Sequence, residues 1–271
     1  MTPWRIALLV LVLSGCVAGV PSNQTAGASL ESQPIDPQSD PTVITDVGSP
    51  RERARAHTNL AAAYYELGNV AVALEEIRVA LASDSSYAPA HNVQGLIHMD
   101  LKENAEAESS FQRALRLTPN DPDANHNFGV FLCQTGREAL GVKYLLTAVR
   151  NPLYATPEKS YTQAGFCALR RKDDAEALQN FDRALKLQPN YLAAMMPLAR
   201  LRYQRGEVAE ARNLVVQYNR LVEPSAESLW LGVRIERQLG DRTAETGLAE
   251  QLRRRFPGSR EYQSLQKGVY E

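Results

Sequence analysis

The sequence predicts an all-α array of stacked helix pairs, and three observations carry that prediction. A small residue recurs at Ala73, Ala107, Gly141, Ala177 and Ala211, at intervals of 34, 34, 36 and 34. Larger apolar residues follow four positions later at Ile77, Phe111, Leu145, Phe181 and Val215, and three positions beyond those stand Ala80, Ala114, Ala148, Ala184 and Tyr218. Earlier in each interval, Leu60-Ala61, Gln94-Gly95, Phe128-Gly129, Ala164-Gly165 and Leu198-Ala199 set a small residue in the middle of another amphipathic stretch. Each interval therefore reads as two helices that approach closely where Gly or Ala removes side-chain bulk, with the larger side chains filling the space between neighbouring pairs.

The elements follow in order. Units are predicted near residues 54–87, 88–121, 122–155, 158–191 and 192–225, with Thr156 and Pro157 lengthening one junction. Turn signals fall where such units need them: Gly68-Asn69, Gly136 and Gly206 inside pairs, Thr118-Pro119-Asn120 and Gln188-Pro189-Asn190 between pairs. A weaker sixth unit runs over residues 225–258, with Leu231-Gly232, Ala244 and Leu248 in approximate register and Gly240 one residue late. Terminal units are often atypical. After it, SREYQSLQKG forms a short helix with Ser259 as N-cap, covering an otherwise exposed apolar edge. The 34-residue period is that of the tetratricopeptide repeat. The predicted fold is thus a right-handed tetratricopeptide superhelix over residues 51–271, with about six helix pairs and a C-terminal capping helix.

The amino-terminal region differs. Arg5 precedes the apolar run IALLVLVL, and small residues follow at Ser14 and Gly15. That is a secretory signal layout, and the run is far short of the roughly 20 apolar residues a membrane-crossing helix needs. Leu13-Ser14-Gly15-Cys16 resembles the bacterial lipobox, which implies cleavage before Cys16, diacylglycerol on its thiol and acylation of the new amino terminus. Val17 stands where lipoproteins retained in the inner membrane often carry aspartate, so the resemblance implies the outer membrane. The alternative reading of Cys16 is a small apolar residue inside the signal peptide. Residues 1–15 are accordingly predicted as a signal peptide and 16–50 as a lipidated terminus and tether. The tether is rich in Pro, Ser, Gln, Gly and Asp, and as a coil it would span on the order of 30 Å.

No catalytic constellation, cofactor site or small-molecule site emerges. His57, His91, His98 and His126 are scattered, and the seven-residue spacing of His91 and His98 is not that of a compact zinc site. Glu75-Glu76 and Asp173-Asp174 read as solvated helix faces or helix starts. With 30 basic and 31 acidic side chains there is no basic field for nucleic acid. The local run LRRRF reads as a cationic end to the last repeat helix, or as a phosphate contact. Cys133 and Cys167, in first helices of adjacent units, are either two buried thiols or a disulfide, the second being favoured by export.

Several segments go beyond what generic repeats require: NFGVFLCQTGR, NPLYATPEKS, AGFCALR, SLWLGVRIERQLGD and RRRFPGSREYQ. With the lipobox, they resemble the pilotin lipoproteins of type IV pilus biogenesis; Phe128 stands where that family commonly has tyrosine. The resemblance implies a noncatalytic role, with a lipid anchor at the periplasmic face of the outer membrane and an array that binds secretin subunits and promotes their multimerisation. A periplasmic scaffold for another envelope complex is the alternative. Independently of the family, the first helices of stacked units line a concave surface suited to a peptide or helix. Its candidate binding residues are Tyr65, Asn92, Met99 and His126 in the first three units and Thr162, Phe166, Met196 and Tyr203 in the next two.

Overall fold

The structure is a computed structural model that describes residues 48–270. The predicted signal peptide, Cys16 and all but the end of the predicted tether lie outside those residues. Thirteen helices follow one another among the described residues. They are α1 (Pro50–Glu66), α2 (Val70–Ser83), α3 (Ala88–Asp100), α4 (Asn104–Leu117), α5 (Pro122–Gln134), α6 (Glu138–Ala148), α7 (Pro157–Arg170), α8 (Asp174–Leu187), α9 (Leu192–Gln204), α10 (Val208–Leu221), α11 (Ala226–Leu239), α12 (Arg242–Arg255) and α13 (Arg260–Lys267). Each odd-numbered helix through α11 packs most extensively on the even-numbered helix that follows it, giving six antiparallel pairs with α13 as the cap.

Local chemistry fixes the helix starts. Ser49 and Glu52 form a reciprocal capping box on α1, Asp121 accepts from the Ala124 amide at 2.7 Å, and Ser259 caps α13 through the Tyr262 amide at 3.1 Å. Proline occupies the first helical position at Pro50, Pro122 and Pro157, where a missing N–H costs nothing. The helical array therefore takes in Pro50 from the predicted tether, and Pro157 opens α7 rather than merely lengthening the junction. The turns inside pairs need a left-handed residue, and glycine supplies it at Gly68, Gly136 and Gly206 with φ of 75°, 81° and 78°. Lysine does so in the second and fourth units, at Lys102 (φ 64°) and Lys172 (φ 60°), against the steric preference of an L-residue.

Packing follows the periodic small residues. A Cβ placed on Gly95 would lie 2.6 Å from the Phe111 ring, one on Gly129 2.7 Å from Leu145, and one on Gly165 2.7 Å from Phe181. The same contact recurs between Gly232 and Leu248 at 3.0 Å, which confirms the shifted register of the sixth unit, with Gly240 one residue late as its turn glycine. Phe111 is fully buried and touches Phe128 and Phe131, with ring centroids 5.9 and 5.8 Å apart. Phe128 also meets Tyr144 edge-on at 4.8 Å.

Arginines stitch successive units. Arg137 makes a forked pair with Glu108 at 2.7 and 3.1 Å, and Arg170 donates to the Cys133 carbonyl at 3.0 Å. Arg202 joins Asp182 at 2.8 Å, and Arg212 joins the buried Glu236 at 2.8 Å and Asp241 at 3.1 Å. The partly exposed pairs each add at most about 1 kcal/mol, so their main effect is to fix the angle between units. The layers differ in spacing. Contacts run directly along the odd-numbered layer between α1 and α3, α3 and α5, α5 and α7, α9 and α11, and α11 and α13, whereas no two even-numbered helices pack to that extent. The odd layer therefore has the smaller radius and lines the concave side.

Two stability changes are expected. Gly95→Ala forces its methyl into the Phe111 ring and should cost about 1–3 kcal/mol in urea unfolding, as overpacked cores do. Lys102→Gly should instead stabilise by on the order of 0.5 kcal/mol, the relieved left-handed strain exceeding the entropy lost by glycine.

Candidate functional site

The concave layer is built by α1, α3, α5, α7, α9 and α11, and the sequence-predicted binding residues all fall on the first five of these helices. They divide by how much surface remains. Asn92 is buried and accepts from Asn127 Nδ2 at 3.1 Å, Thr162 is buried and donates to the Glu158 carbonyl at 2.8 Å, and Met196 packs against Val215 and Ile235. These three spend their contacts inside the array. Tyr65 and Met99 are half-buried over the first two units, and burial, assisted by Asp100, pushes the Tyr65 phenol up from its ordinary range. Phe166 is the most open of the set, 36% exposed, with its ring held edge-on to Phe181 at 5.2 Å. Tyr203 is half-buried beneath the Arg234 guanidinium, 4.7 Å from its ring centre.

His126 is committed to a junction. Its Nδ1 lies 2.7 Å from Ser160 Oγ, which donates to the Tyr154 hydroxyl at 3.2 Å, and the His126 and Tyr154 rings stand 6.4 Å apart. This chain of polar groups ties α5 and α7 to the inserted loop between α6 and α7. Desolvation, with Lys159 adding to it, lowers the His126 pKa to about 4. The imidazole is therefore neutral at ordinary pH.

In the same stretch of the array Cys133 and Cys167 are joined in a disulfide with Cα atoms 5.6 Å apart, linking α5 directly to α7. The other histidines pair locally: His57 with Glu76 and His98 with Glu103, each at 2.6 Å, and His91 with the Ser85 carbonyl at 3.0 Å. Among the described residues no group of three His, Cys, Asp or Glu side chains is placed to hold a metal ion. Asp173 caps α8 and Glu75 pairs with Arg78. In the LRRRF run, Arg253 pairs with Glu250, and Arg255 pairs with Glu223 and lies over Phe256, so two of its three cations already have protein partners.

Two clefts open on the concave side where the odd helices spread. One, of about 220 Å³, lies between α7 and α9 and is lined by Phe166, Leu169, Pro197 and Leu201 together with Asp174 from the start of α8 and Gln204. The other, of about 230 Å³, lies between α9 and α11 and is mostly charged in its lining, with Glu227, Arg234 and Glu261 beside Trp230 and Leu231. Arg200 belongs to both. Sequence reasoning found Phe166 but missed Pro197, Arg200, Trp230 and Arg234. The signal was present in a proline inside an otherwise helical pattern and in SLWLGVRIERQLGD, whose shifted register hid which of its residues face the clefts.

Tetratricopeptide-repeat family models match residues 58–122 and 168–222. The type IV pilus assembly protein PilF of Pseudomonas aeruginosa is 29% identical over 262 residues, covering 96% of each chain. A solved structure of Pseudomonas aeruginosa pilF superposes with a TM-score of 0.74 at 28% identity, over 81% of this chain and 99% of the other. The crystal structure of PilW, described as a widely conserved type IV pilus biogenesis factor, superposes at 0.66 with 31% identity, over 79% of this chain and 98% of the other. The chain belongs to the tetratricopeptide-repeat family, as a homologue of PilF and PilW.

The desolvated imidazole gives this repeat protein a defined acid response. Between pH 6.5 and about 4 the unfolded chain binds a proton at His126 that the folded chain does not. Stability should therefore fall on acidification through that window by up to roughly 3 kcal/mol and level off with respect to this group below it. Denaturant titrations at stepped pH should show a shallower slope in His126→Gln.

Proposed function

We propose that this protein is a noncatalytic scaffold of type IV pilus biogenesis, held by lipid on Cys16 at the periplasmic face of the outer membrane. There its concave helical array engages secretin subunits and promotes their multimerisation. The observation that carries the reading is the end-to-end similarity to a type IV pilus assembly protein, over 96% of both chains. Generic repeat similarity would cover the pairs and leave the terminal segments unmatched.

The physical design fits such a task. Stacked pairs offer a long, stiff surface with the groove residues already positioned, which lowers the entropy lost when a flexible partner segment docks. The Cys133–Cys167 bridge suits an oxidising compartment. A lipid anchor of several acyl chains would provide durable attachment where a single chain gives only marginal binding. The array supplies shape and the anchor supplies location, so the two contributions are separable.

Replacing Cys16 with alanine should leave the thermal unfolding of the array unchanged while releasing the protein from the outer-membrane fraction. In the same cells secretin should shift from multimeric rings toward monomers on gels. Normal membrane retention of the variant would remove lipidation from the reading. Unchanged ring abundance in cells lacking the whole protein would remove the secretin role and assign the scaffold to another envelope complex.

A further inference from the structure

The segment NPLYATPEKS is longer than a repeat junction needs, and the extra length builds a fixed loop between α6 and α7. Tyr154 is buried there, its hydroxyl accepting from Ser160 and its amide donating to the Asn151 carbonyl at 3.1 Å. The Asn151 side chain accepts from the Leu153 amide at 2.9 Å. The loop is thus held on both sides of Leu153, which is itself 89% exposed, the most open large apolar residue among the described residues. Single exposed leucines are common on protein surfaces. This one is held out by a buried tyrosine, and its neighbour Pro152 lines a cleft.

That cleft, of about 390 Å³, lies at the edge of the array where pairs join. Its lining is Asn120 from the turn between α4 and α5, Thr147 from α6, and Arg150, Asn151 and Pro152 from the loop that follows, with no carboxylate. The acids nearest to Asn120 along the chain are engaged elsewhere: Asp121 accepts from the Ala124 amide at 2.7 Å, and Asp123 interacts with Asp121 and Lys159. Among the described residues the Arg150 guanidinium has no hydrogen-bond, ion-pair or ring partner. The repeat itself shows why the space is open. Gln217 of α10 follows Pro189 by the same 28 residues that separate Thr147 of α6 from Pro119, and it reaches back to the Pro189 carbonyl at 3.3 Å and to Asn190 Oδ1 at 2.9 Å. The shorter Thr147 donates to the Lys143 carbonyl of its own helix at 2.9 Å.

We infer that this edge is a docking site for a partner protein segment in which a carboxylate side chain enters the cleft and pairs with Arg150, while the apolar side chain beside it lies on Leu153. The two oxygens of a carboxylate match the guanidinium fork and the amide donors of Asn120 and Asn151. A cation with no carboxylate in the lining favours an acidic segment over a basic one. An anionic membrane is recognised by clusters of cations, where this cleft has one. The site is separate from the concave layer of odd-numbered helices and does not depend on the pilus reading.

The test is selection of displayed random short peptides on the full chain in detergent, after passage over the Arg150→Glu, Leu153→Ser double variant to remove ligands of every other surface. The peptides that remain should carry aspartate or glutamate beside an apolar residue. In anisotropy titrations of the strongest one, Arg150→Glu removes the pair and adds a repulsion, so it should weaken binding by about tenfold or more. Exchanging the peptide's acid for lysine should restore most of that loss. Thr147→Gln should weaken binding too, by setting into the cleft the side chain that occupies the equivalent space beside α10. None of these positions is buried, so the variants are expected to keep the unfolding midpoint of the parent. No retained peptide, retained peptides without an acid, or affinity indifferent to Arg150→Glu or to Thr147→Gln would each overturn the proposal. So would Arg150-dependent sedimentation of the Cys16→Ala chain with phosphatidylglycerol vesicles, or Arg150-dependent self-association, since the cleft would then serve a membrane or a second copy.

Discussion

The structure depends on one packing contact repeated along the chain: a residue with little or no side chain on an odd-numbered helix, pressed against a bulky apolar side chain on the even-numbered helix that follows. Gly95 with Phe111, Gly129 with Leu145, Gly165 with Phe181 and Gly232 with Leu248 are each 16 positions apart. That spacing is the length of chain needed to finish one helix, turn and climb back to the same level. It holds in the sixth pair even though the turn glycine there arrives late. A side chain on the glycine would separate the helices, and a smaller residue opposite would leave a cavity.

From that contact follows the geometry of the concave face. Small residues draw the two helices of a pair together, while the packing between pairs keeps the odd helices closer to one another than the even ones. The odd layer becomes the concave wall. Along that wall the helices are not evenly spaced. The disulfide from Cys133 to Cys167 and the His126–Ser160 contact hold α5 against α7, whereas α7 and α9 pack less closely and leave a cleft between them. The centre is cross-linked and the carboxyl-terminal half is more open, with clefts that carry both apolar and charged residues.

Much of this was legible in the residues. The five regular pairs, the displaced sixth and the Ser259 cap can be read from the 34-residue period, because each unit must solve the same packing problem with the same residue sizes. The candidate groove residues were legible only as positions on helices. Asn92, Thr162 and Met196 share a helix face with more open residues, yet neighbouring units bury them, and burial by a neighbour leaves no mark on a single helix's pattern. Arg200 and Trp230 come together with their neighbours across a cleft, which spacing along the chain does not encode.

By itself, then, the sequence determined the all-α repeat, the starts of its units to within a few residues and the balance of charge, since these follow from periodicity, turn residues and composition. Only the tertiary structure decided that Cys133 and Cys167 meet, that His126 is desolvated against Ser160 and Tyr154, and that two clefts share Arg200. Those facts depend on the angle at which one pair stacks on the next. That angle is set by many side chains acting together, including the arginines that cross each junction and the inserted Thr156-Pro157 step, rather than by a pattern any one unit carries.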